Sequence, residues 1–203
     1  EVQSNRLNGM NPLKRFCDLI TALLFSALLL PVILVISVAI LLFDGRPVFY
    51  FSERMRSPKE AFVLAKFRTM TPSSNNTGVT GGDKSERITR TGRLLRRTHL
   101  DEIPQLWNIL RGDMSWVGPR PPLRQYVERF PELYSQVLLS RPGLTGLATI
   151  IFHEHEDWML ARCTTAEETD AVYSYICIPR KVKLDLIYQA NQSSCLDLWI
   201  MMN

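Results

Sequence analysis

Residues 19–43 read LITALLFSALLLPVILVISVAILLF, a run of twenty-five residues that contains no Asp, Glu, Lys, Arg or His. The run exceeds the roughly 18 apolar residues that indicate a helix able to cross a bilayer. It is too long for the apolar part of a cleavable signal peptide, and it ends in Asp44-Gly45-Arg46-Pro47 rather than in a small-residue cleavage site. The run therefore predicts a membrane-associated helix.

Basic residues lie on both sides of this run. Lys14 and Arg15 precede it, and four further Lys and Arg residues follow it between positions 46 and 59. Because positive charge tends to remain cytoplasmic, both ends favour the same side of a membrane. Pro31 lacks an N–H, and its ring clashes with the carbonyl of Ala27. We therefore expect a re-entrant helix broken at Pro31, with a kinked but ordinary transmembrane helix as the alternative.

The composition of the whole chain is that of a folded protein. The protein has 203 residues, of which 46% are hydrophobic and 22% are charged, and this excludes disordered, fibrous and large multidomain classes. Residues 46–100 carry a net charge of +8, whereas residues 101–203 carry −4. The four cysteines form no CxxC pair, so neither a zinc or redox motif nor a dense disulfide framework is predicted.

The pattern beyond the apolar run predicts an α+β fold that is mostly helical with a short β-hairpin. The hairpin strands are predicted over 47–52 and 61–67, and the polar residues 71–85 are predicted to form a loop. Helices are predicted over 87–98, 101–110, 122–139, 170–176 and 182–190, and the apolar tail over 196–200 is expected to dock on protein or lipid. The apolar stripe of 122–139, bent near Pro131, is typical of a core face, with a membrane interface as the alternative.

Arginines spaced by three form a predicted basic stripe: Arg87, Arg90, Arg93 and Arg96. Guanidinium groups held together repel one another, and a phosphate-bearing ligand relieves that repulsion through bidentate hydrogen bonds. A solvated face, or one that lies against lipid headgroups, is the alternative.

Asp101 and Glu102 follow this stripe at the start of the next predicted helix, with Asp101 as a candidate N-cap. Adjacent helical residues point about 100° apart, so the two carboxylates suit different roles. The basic surroundings favour phosphate chemistry with Mg²⁺, and a carboxylate can attack phosphorus as a nucleophile. Arg120 lies in the stiff turn Gly-Pro-Arg-Pro-Pro (118–122), either as a phosphate clamp or as a salt-bridge partner.

His153 and His155 flank Glu154 in a charged segment. Since no Cys or third His lies nearby, zinc is not predicted. We expect an exposed acidic loop here.

Three stretches resemble the bacterial sugar transferase family, the monotopic phosphoglycosyl transferases: KFRTM at 66–70, DEIPQLWNILRGDMSWVGPRP at 101–121 and RPGLTG at 141–146. The resemblance implies a re-entrant membrane helix over 1–45 and a small catalytic domain over 46–203 with interfacial amphipathic helices. It places this domain at the cytoplasmic face of the bacterial inner membrane. It also implies the short form of the family, which has only the catalytic domain.

The reaction that the resemblance implies initiates membrane glycan assembly by transfer of a sugar 1-phosphate. A UDP-sugar is the donor, a polyprenol phosphate is the acceptor, and UMP is released as a covalent Asp101-phosphosugar intermediate forms. The lipid bilayer is a further partner, no nucleic acid is expected, and a homodimer is left open.

The same resemblance assigns roles to individual residues. Asp101 is the nucleophile and the Mg²⁺ ligand, and Glu102 assists beside it. Substrate binding falls to Lys66, Arg68, Arg96, Pro119, Arg120 and Arg141.

The chain departs from the family at two places. Leu30-Pro31 stands where members commonly have Ser-Pro, and LATIIFHEHEDW (147–158) stands where many have an Asn-Gly-Arg segment. Two rival functions are a membrane-anchored protein that binds anionic lipid or nucleic acid through the arginines, and a metal-dependent phosphohydrolase.

Overall fold

The long apolar segment forms one helix, α1 (Pro12–Phe43), in the computed structural model of the protein, which describes residues 12–72 and 78–202. By length and composition this helix is sufficient to cross a membrane. It runs through Pro31 without interruption, so the expected break of the helix at this residue is absent. Because a proline can bend a helix without ending it, the re-entrant path stays a prediction.

Both ends of α1 are held by the remainder of the protein. At the carboxyl end, Arg68 donates to the carbonyl oxygen of Asp44 over 2.8 Å, and Thr89 donates to the Asp44 carboxylate over 2.9 Å. At the amino end, Lys14 forms an ion pair of 2.5 Å with Asp197. Lys14, which was expected to mark the cytoplasmic side of the membrane, thus also connects α1 to the rest of the protein.

Two buried side chains of α1, one in each half of the helix, pack on the same body. Ala22 is fully buried against Leu106 and Ile109, and Ile40 is fully buried against Phe67. Most other apolar side chains of the helix are exposed. One side of α1 therefore belongs to the core, and the other offers a long apolar surface.

The predicted hairpin is confirmed. Strands β1 (Phe49–Met55) and β2 (Ala61–Phe67) pair in antiparallel register, with Tyr50 opposite Lys66. A second sheet was not predicted: the three-residue strands β3 (Ser115–Val117) and β4 (Gly143–Thr145) pair in parallel.

The helices match most of the predicted positions. Within the described residues they are α2 (Arg90–Arg97), α3 (Leu106–Arg111), α4 (Arg124–Arg129), α5 (Pro131–Val137), α6 (Leu147–Leu160), α7 (Ala166–Val172), α8 (Ile178–Ala190) and α9 (Ser194–Met202). A π-helical turn over Tyr173–Cys177 joins α7 to α8. The predicted helix over 101–110 begins instead as a 3-10 helix, Leu100–Gln105, and continues as α3.

Two local predictions are wrong. The predicted helix 87–98 is shorter, because residues Gly82–Arg87 form a separate 3-10 helix and α2 starts only at Arg90. The expected acidic loop around His153 is part of α6, since Ala148, Phe152 and other apolar residues bury one side of that segment. Of the predicted loop 71–85, residues 73–77 lie outside the described residues.

The largest core cluster lies under α4, α5 and α8. The apolar stripe of the predicted helix 122–139, now divided between α4 and α5 at Pro131, supplies Tyr126, Tyr134 and Val137 to this cluster. That stripe therefore belongs to the core rather than to an exposed membrane face. The apolar tail docks on protein through Ile200, which is buried in a cluster with Tyr188.

Candidate active site

The predicted catalytic pair lies where the hairpin, the Leu100–Gln105 3-10 helix and the turn after β3 meet. Lys66 comes from β2, Asp101 and Glu102 occupy the first turn of the 3-10 helix, and Arg120 follows Val117. Residues far apart in sequence thus converge on one point of the surface.

Glu102 is held by two cations on a single oxygen. Lys66 Nζ donates to Glu102 Oε1 over 2.5 Å, and Arg120 Nη2 donates to the same atom over 2.6 Å. The Glu102 side chain is 14% exposed, whereas that of Arg120 is 38% exposed. Charge-assisted hydrogen bonds of this kind fix the carboxylate in position.

These contacts shift the protonation equilibria in opposite directions. Burial alone would raise the pKa of Glu102, but Arg120 and Lys66 outweigh it and hold that pKa well below its ordinary value. Glu102 in turn raises the pKa of Arg120. Burial and the nearby Arg120 lower the pKa of Lys66 to about 8, although Glu102 acts against them. Glu102 therefore carries its negative charge at neutral pH.

Asp101 has a different environment. It is buried to 8% exposure, and within the described residues no donor lies within hydrogen-bond distance of its carboxylate. Burial raises its pKa above the ordinary value, with Lys66 lowering and Glu102 raising it less strongly. An unengaged carboxylate of raised basicity can attack an electrophile or bind a cation, whereas Glu102 is already occupied.

The backbone before Asp101 determines where the 3-10 helix begins. His99, not Asp101, is the residue that precedes the 3-10 helix, and it adopts a left-handed conformation with φ of 55°. Its carbonyl accepts a hydrogen bond from the N–H of Glu102 over 3.2 Å. The predicted N-cap role of Asp101 is therefore wrong, because that residue lies one position inside the helix.

Two further predicted residues adjoin this centre. Arg96 donates from Nε to the Thr69 hydroxyl over 2.9 Å. Burial lowers the pKa of Arg96 below its ordinary value, although the nearby Asp101 opposes this effect. Pro119 is fully buried, and its carbonyl accepts from the N–H of Gly143 over 2.9 Å. Pro119 therefore fixes the turn that presents Arg120 and offers no exposed surface to a ligand.

Arg68 and Arg141 contact other parts of the molecule. Arg68 is buried and donates to backbone carbonyls at the end of α1. Arg141 donates to the carbonyl of Gly112, just past α3, over 2.7 Å, and the nearby Arg15 donates to the carbonyl of Ile109 over 2.7 Å. Both predicted substrate-binding residues thus engage helix ends in the structure and not the two carboxylates.

The basic stripe is interrupted by the fold. Arg87 lies outside α2 and donates to the carbonyl of Thr71 over 3.0 Å. On α2 itself, Arg90 and Arg93 are exposed, and Arg96 is half-buried. The predicted continuous stripe is therefore wrong, and Arg96 is the member that approaches Asp101.

Arg54 is a site residue that the sequence analysis did not identify. It lies on β1, and its Nη1 donates to the carbonyl of Pro121 over 3.3 Å. Burial lowers its pKa, and the nearby charge of Arg120 lowers it further. The period-2 alternation of the hairpin was the available signal, since Tyr50, Ser52 and Arg54 share the face that carries Lys66.

The site offers a divalent cation one protein carboxylate, so the other ligands would have to come from substrate phosphates. Among residues 12–72 and 78–202, no group of three or more His, Cys, Asp or Glu side chains could form a metal cage. Mg²⁺ is commonly held by one or two carboxylates together with substrate phosphates. Asp101 meets that requirement because, in the part of the chain that the structure describes, no protein donor is bonded to its carboxylate.

His153 faces the segment before the carboxylates. Its ring lies 5.7 Å from that of His99, centroid to centroid, and its Nε2 lies 3.5 Å from an oxygen of Asp157. The segment that departs from the family pattern therefore forms most of α6 and adjoins the site through His153.

An apolar groove of about 330 Å³ lies beside the same 3-10 helix. Its walls include Ile33 from α1, Phe51 from β1, Ile103 and Pro104 from the 3-10 helix, and Trp107 from α3. Ile103 directly follows Glu102 in sequence, so the groove begins close to the charged centre. It offers apolar surface on the side of the domain that faces α1.

Comparison with known proteins gives a consistent result. The model of a family described as bacterial sugar transferase matches residues 9–203. A Bacillus subtilis protein named "Uncharacterized sugar transferase EpsL" is 36% identical over 93% of this chain and 83% of its own length. A UDP-glucose:undecaprenyl-phosphate glucose-1-phosphate transferase of Klebsiella pneumoniae is 35% identical over 96% of this chain.

Another relative differs in its sugar. The UDP-N-acetylgalactosamine-undecaprenyl-phosphate N-acetylgalactosaminephosphotransferase of Aeromonas hydrophila is 32% identical over 74% of this chain. The matched regions make up 40% of the Klebsiella protein and 38% of the Aeromonas protein, so the chain spans well under half of each.

Proposed function

This chain belongs to the bacterial sugar transferase family, and from that premise we propose that it transfers a sugar 1-phosphate from a UDP-sugar to a polyprenol phosphate. Relatives named for glucose 1-phosphate and N-acetylgalactosamine phosphate transfer to undecaprenyl phosphate support the reaction class. The product is a polyprenyl diphosphate sugar, the first lipid-linked species of glycan assembly.

The observation that carries this proposal is the contrast between Asp101 and Glu102. Asp101 is buried, is free of protein donors within the described residues and has a raised pKa, whereas Glu102 is pinned by Lys66 and Arg120. A nucleophile must be available to its substrate, and Asp101 meets this requirement. A residue that holds two cations in place must itself be fixed, and Glu102 meets this one.

The reaction then proceeds in two displacements at phosphorus. An oxygen of Asp101 attacks the phosphorus that is bonded to the sugar oxygen, and the bond from that phosphorus to the bridging oxygen breaks. UMP leaves with the bonding electron pair. A phosphate oxygen of the acceptor next attacks the same phosphorus, the bond to Asp101 breaks, and the carboxylate is restored.

The cations around Asp101 reduce the repulsion between anions. Lys66 and Arg120 are fixed by Glu102 at the edge of the site, and the partly exposed Arg120 guanidinium retains donors for phosphoryl oxygens. Arg96 is a further cation near the nucleophile. Fixed donors of this kind stabilise charge that develops on phosphoryl oxygens in the transition state.

Asp101, together with phosphate oxygens of the donor, would hold Mg²⁺. When bound, this ion supplies positive charge that offsets the negative charge of the diphosphate.

The contacts of α1 support a re-entrant placement in the membrane. Lys14 at one end and Asp44 at the other are bonded to Asp197 and Thr89 of the same globular body. A straight span would put the two ends of α1 on opposite sides of the bilayer, and the domain would then have to follow both of them. We propose that both ends lie at the cytoplasmic face of the bacterial inner membrane.

Exposed apolar residues elsewhere are consistent with a domain seated on that face. Helix α9, tied to the start of α1 through Asp197, exposes Leu198, Trp199 and Met202. Aromatic and aliphatic side chains of this kind favour the headgroup boundary. The apolar groove beside Ile103 offers surface for the chain of the polyprenol acceptor.

Release of UMP from a panel of UDP-sugars, measured with the purified protein and undecaprenyl phosphate, tests the proposal. We expect release with one or a few sugars, dependent on the acceptor after the first turnover, and no release with Asp101→Asn. Steady formation of free sugar 1-phosphate without acceptor would indicate a phosphohydrolase instead. Salt-sensitive lipid or nucleic-acid binding, unaffected by Asp101→Asn and without UMP release, would indicate a binding protein.

A further inference from the structure

Arg54 is a cation of the site that has no paired carboxylate among the described residues. Within residues 12–72 and 78–202, no carboxylate lies within salt-bridge distance of its guanidinium. Its hydrogen bonds go to the carbonyl of Pro121 over 3.3 Å and to the Ser52 hydroxyl over 3.5 Å, which is a long contact. A half-buried charge with only neutral partners is costly unless an anion joins it.

The hairpin aims Arg54 at the catalytic centre. In the antiparallel register, Tyr50 lies opposite Lys66, and Arg54 lies opposite Phe62, so these side chains emerge from the same face. The carbonyl that Arg54 contacts belongs to Pro121, the residue directly after Arg120. Arg54 therefore lies beside the turn that carries Arg120.

Positive charge is concentrated beside Glu102. Lys66 and Arg120 already share one of its oxygens, and Arg54 adds a further cation close to Arg120. Asp101 and Glu156 are also near these cations, but Glu156 is paired with Lys181 over 2.9 Å, and within the described residues neither carboxylate forms an ion pair with Arg54. Burial and the charge of Arg120 lower the pKa of Arg54, and Glu102 opposes them only weakly. An anionic group between Arg54 and Arg120 would relieve this repulsion, and a phosphate matches the planar fork of two guanidiniums.

We infer that Arg54 is a phosphate-binding residue of the site, where it donates to phosphoryl oxygens of one of the two substrates. The inference rests on the proposed transferase function. Both the donor diphosphate and the acceptor monophosphate supply the required chemistry. The substrate whose KM responds to a change at Arg54 identifies the source.

Arg56 provides a matched control. It lies two residues further along, just past the end of β1, and its side chain is exposed and paired with Glu60 over 2.6 Å. Arg54→Gln and Arg56→Gln therefore remove the same charge from neighbouring positions. We expect Arg54→Gln to raise one KM by about tenfold to a hundredfold with a smaller effect on kcat, and Arg56→Gln to leave both parameters near the wild-type values.

Arg54→Lys separates charge from geometry. An ammonium keeps the charge but lacks the fork, so we expect it to restore only part of the affinity. A raised KM for the UDP-sugar assigns the donor, and a raised KM for undecaprenyl phosphate assigns the acceptor. Unchanged values of both KM in a folded Arg54→Gln protein would overturn the inference while wild-type UMP release leaves the proposed function intact.

A binding measurement covers the case in which turnover is absent. Inorganic pyrophosphate should raise the melting temperature of the wild-type and Arg56→Gln proteins and should raise that of Arg54→Gln much less. Equal stabilisation of all three proteins would reject Arg54 as a phosphate ligand. Should Arg54→Gln fail to fold, Arg54→Lys takes its place in both measurements.

Discussion

The guanidinium of Arg120 donates to the carboxylate of Glu102 over 2.6 Å and thereby joins the proline-rich turn after β3 to the short helix that carries the nucleophile candidate. The phosphate clamp and the salt-bridge partner, opposed as alternatives for Arg120 in the sequence, are therefore compatible. One nitrogen of the guanidinium is used by Glu102, and the partly exposed remainder is open to a ligand.

Arg120→Lys tests this double role. A lysine keeps the charge but cannot reach Glu102 and a phosphate oxygen through separate nitrogens of one plane. Loss of a charge-assisted contact costs about 1.5–3 kcal/mol, which corresponds to a roughly tenfold to hundredfold fall in kcat/KM for UMP release. Arg124→Lys, which alters an exposed pair with Glu53, is the control and should leave kcat/KM unchanged. Normal kinetics in Arg120→Lys would contradict the clamp.

The two carboxylates should separate in an adduct experiment. Intact-protein mass spectrometry after mixing with the productive UDP-sugar should detect a sugar-phosphate adduct on wild type and none on Asp101→Asn, because an amide is not a nucleophile. Glu102→Gln loses the counter-charge for Lys66 and Arg120, so turnover should fall by about tenfold or more while the adduct still forms. Glu128→Gln, at an exposed position, should behave as wild type. A full adduct on Asp101→Asn would remove that residue as nucleophile.

The lowered pKa of Lys66 leads us to expect that activity falls at alkaline pH. Its pKa of about 8, against an ordinary 10.5, means that it loses its proton, and Glu102 loses one of its two cations, as pH rises through 8. We expect kcat/KM to fall above pH 8 in wild type but only at higher pH in Lys66→Arg, because arginine stays protonated. Coincident alkaline limbs for the two proteins would assign the ionisation elsewhere.

Thermal unfolding provides the control for this pH effect. Between pH 8 and 10.5 the unfolded chain binds the Lys66 proton more tightly than the folded protein does. The contribution of Lys66 to stability therefore rises with pH in this window. A decline in activity there is thus not a loss of fold caused by this residue.

The sequence predicted those features that local patterns encode. Runs rich in Val and Phe around a polar turn specify β1 and β2, and α3 ends at Arg111 before Gly112, which has φ of 90°, close to the predicted end of the helix over 101–110. The parallel pairing of β3 and β4 has no local signal, because each strand has three residues and the partners lie far apart in sequence. The helix through His153 was missed because its charged positions hide the buried spacing of Ala148 and Phe152.

For the candidate site, too, the sequence indicated the residue types but not the contacts that they form. The residue types of Lys66, Glu102 and Arg120 mark them as candidates, but their convergence on one oxygen depends on tertiary packing. Arg68 and Arg141 carry the same charge in equally distinctive motifs, yet the fold directs them to backbone carbonyls at helix ends. Whether an arginine contacts a carboxylate or a backbone carbonyl is therefore decided by the fold rather than by the motif.

The topology of α1 can be tested by cysteine labelling in intact cells. Single cysteines at Asn5 and Lys59, in a protein with the exposed Cys17 and Cys195 replaced by serine, should both be protected from an impermeant reagent and become reactive after permeabilisation. Labelling at Asn5 alone would establish a straight span. Pro31→Ala should increase the straight fraction, because it restores a backbone donor and removes a clash that favours bending.

The ion pair between Lys14 and Asp197 should anchor α1 to the domain. Both side chains are nearly buried, and Asp197 also accepts a hydrogen bond from the Tyr188 hydroxyl over 2.6 Å. Lys14→Met leaves a buried carboxylate without its cation, which costs about 3–5 kcal/mol. We expect a clear drop in melting temperature in detergent, whereas Arg56→Gln, which breaks an exposed pair, should cause almost none. The double variant with Asp197→Leu should recover much of the loss, since it removes the stranded charge, and equal melting temperatures for Lys14→Met and wild type would show that this contact does not hold the membrane helix.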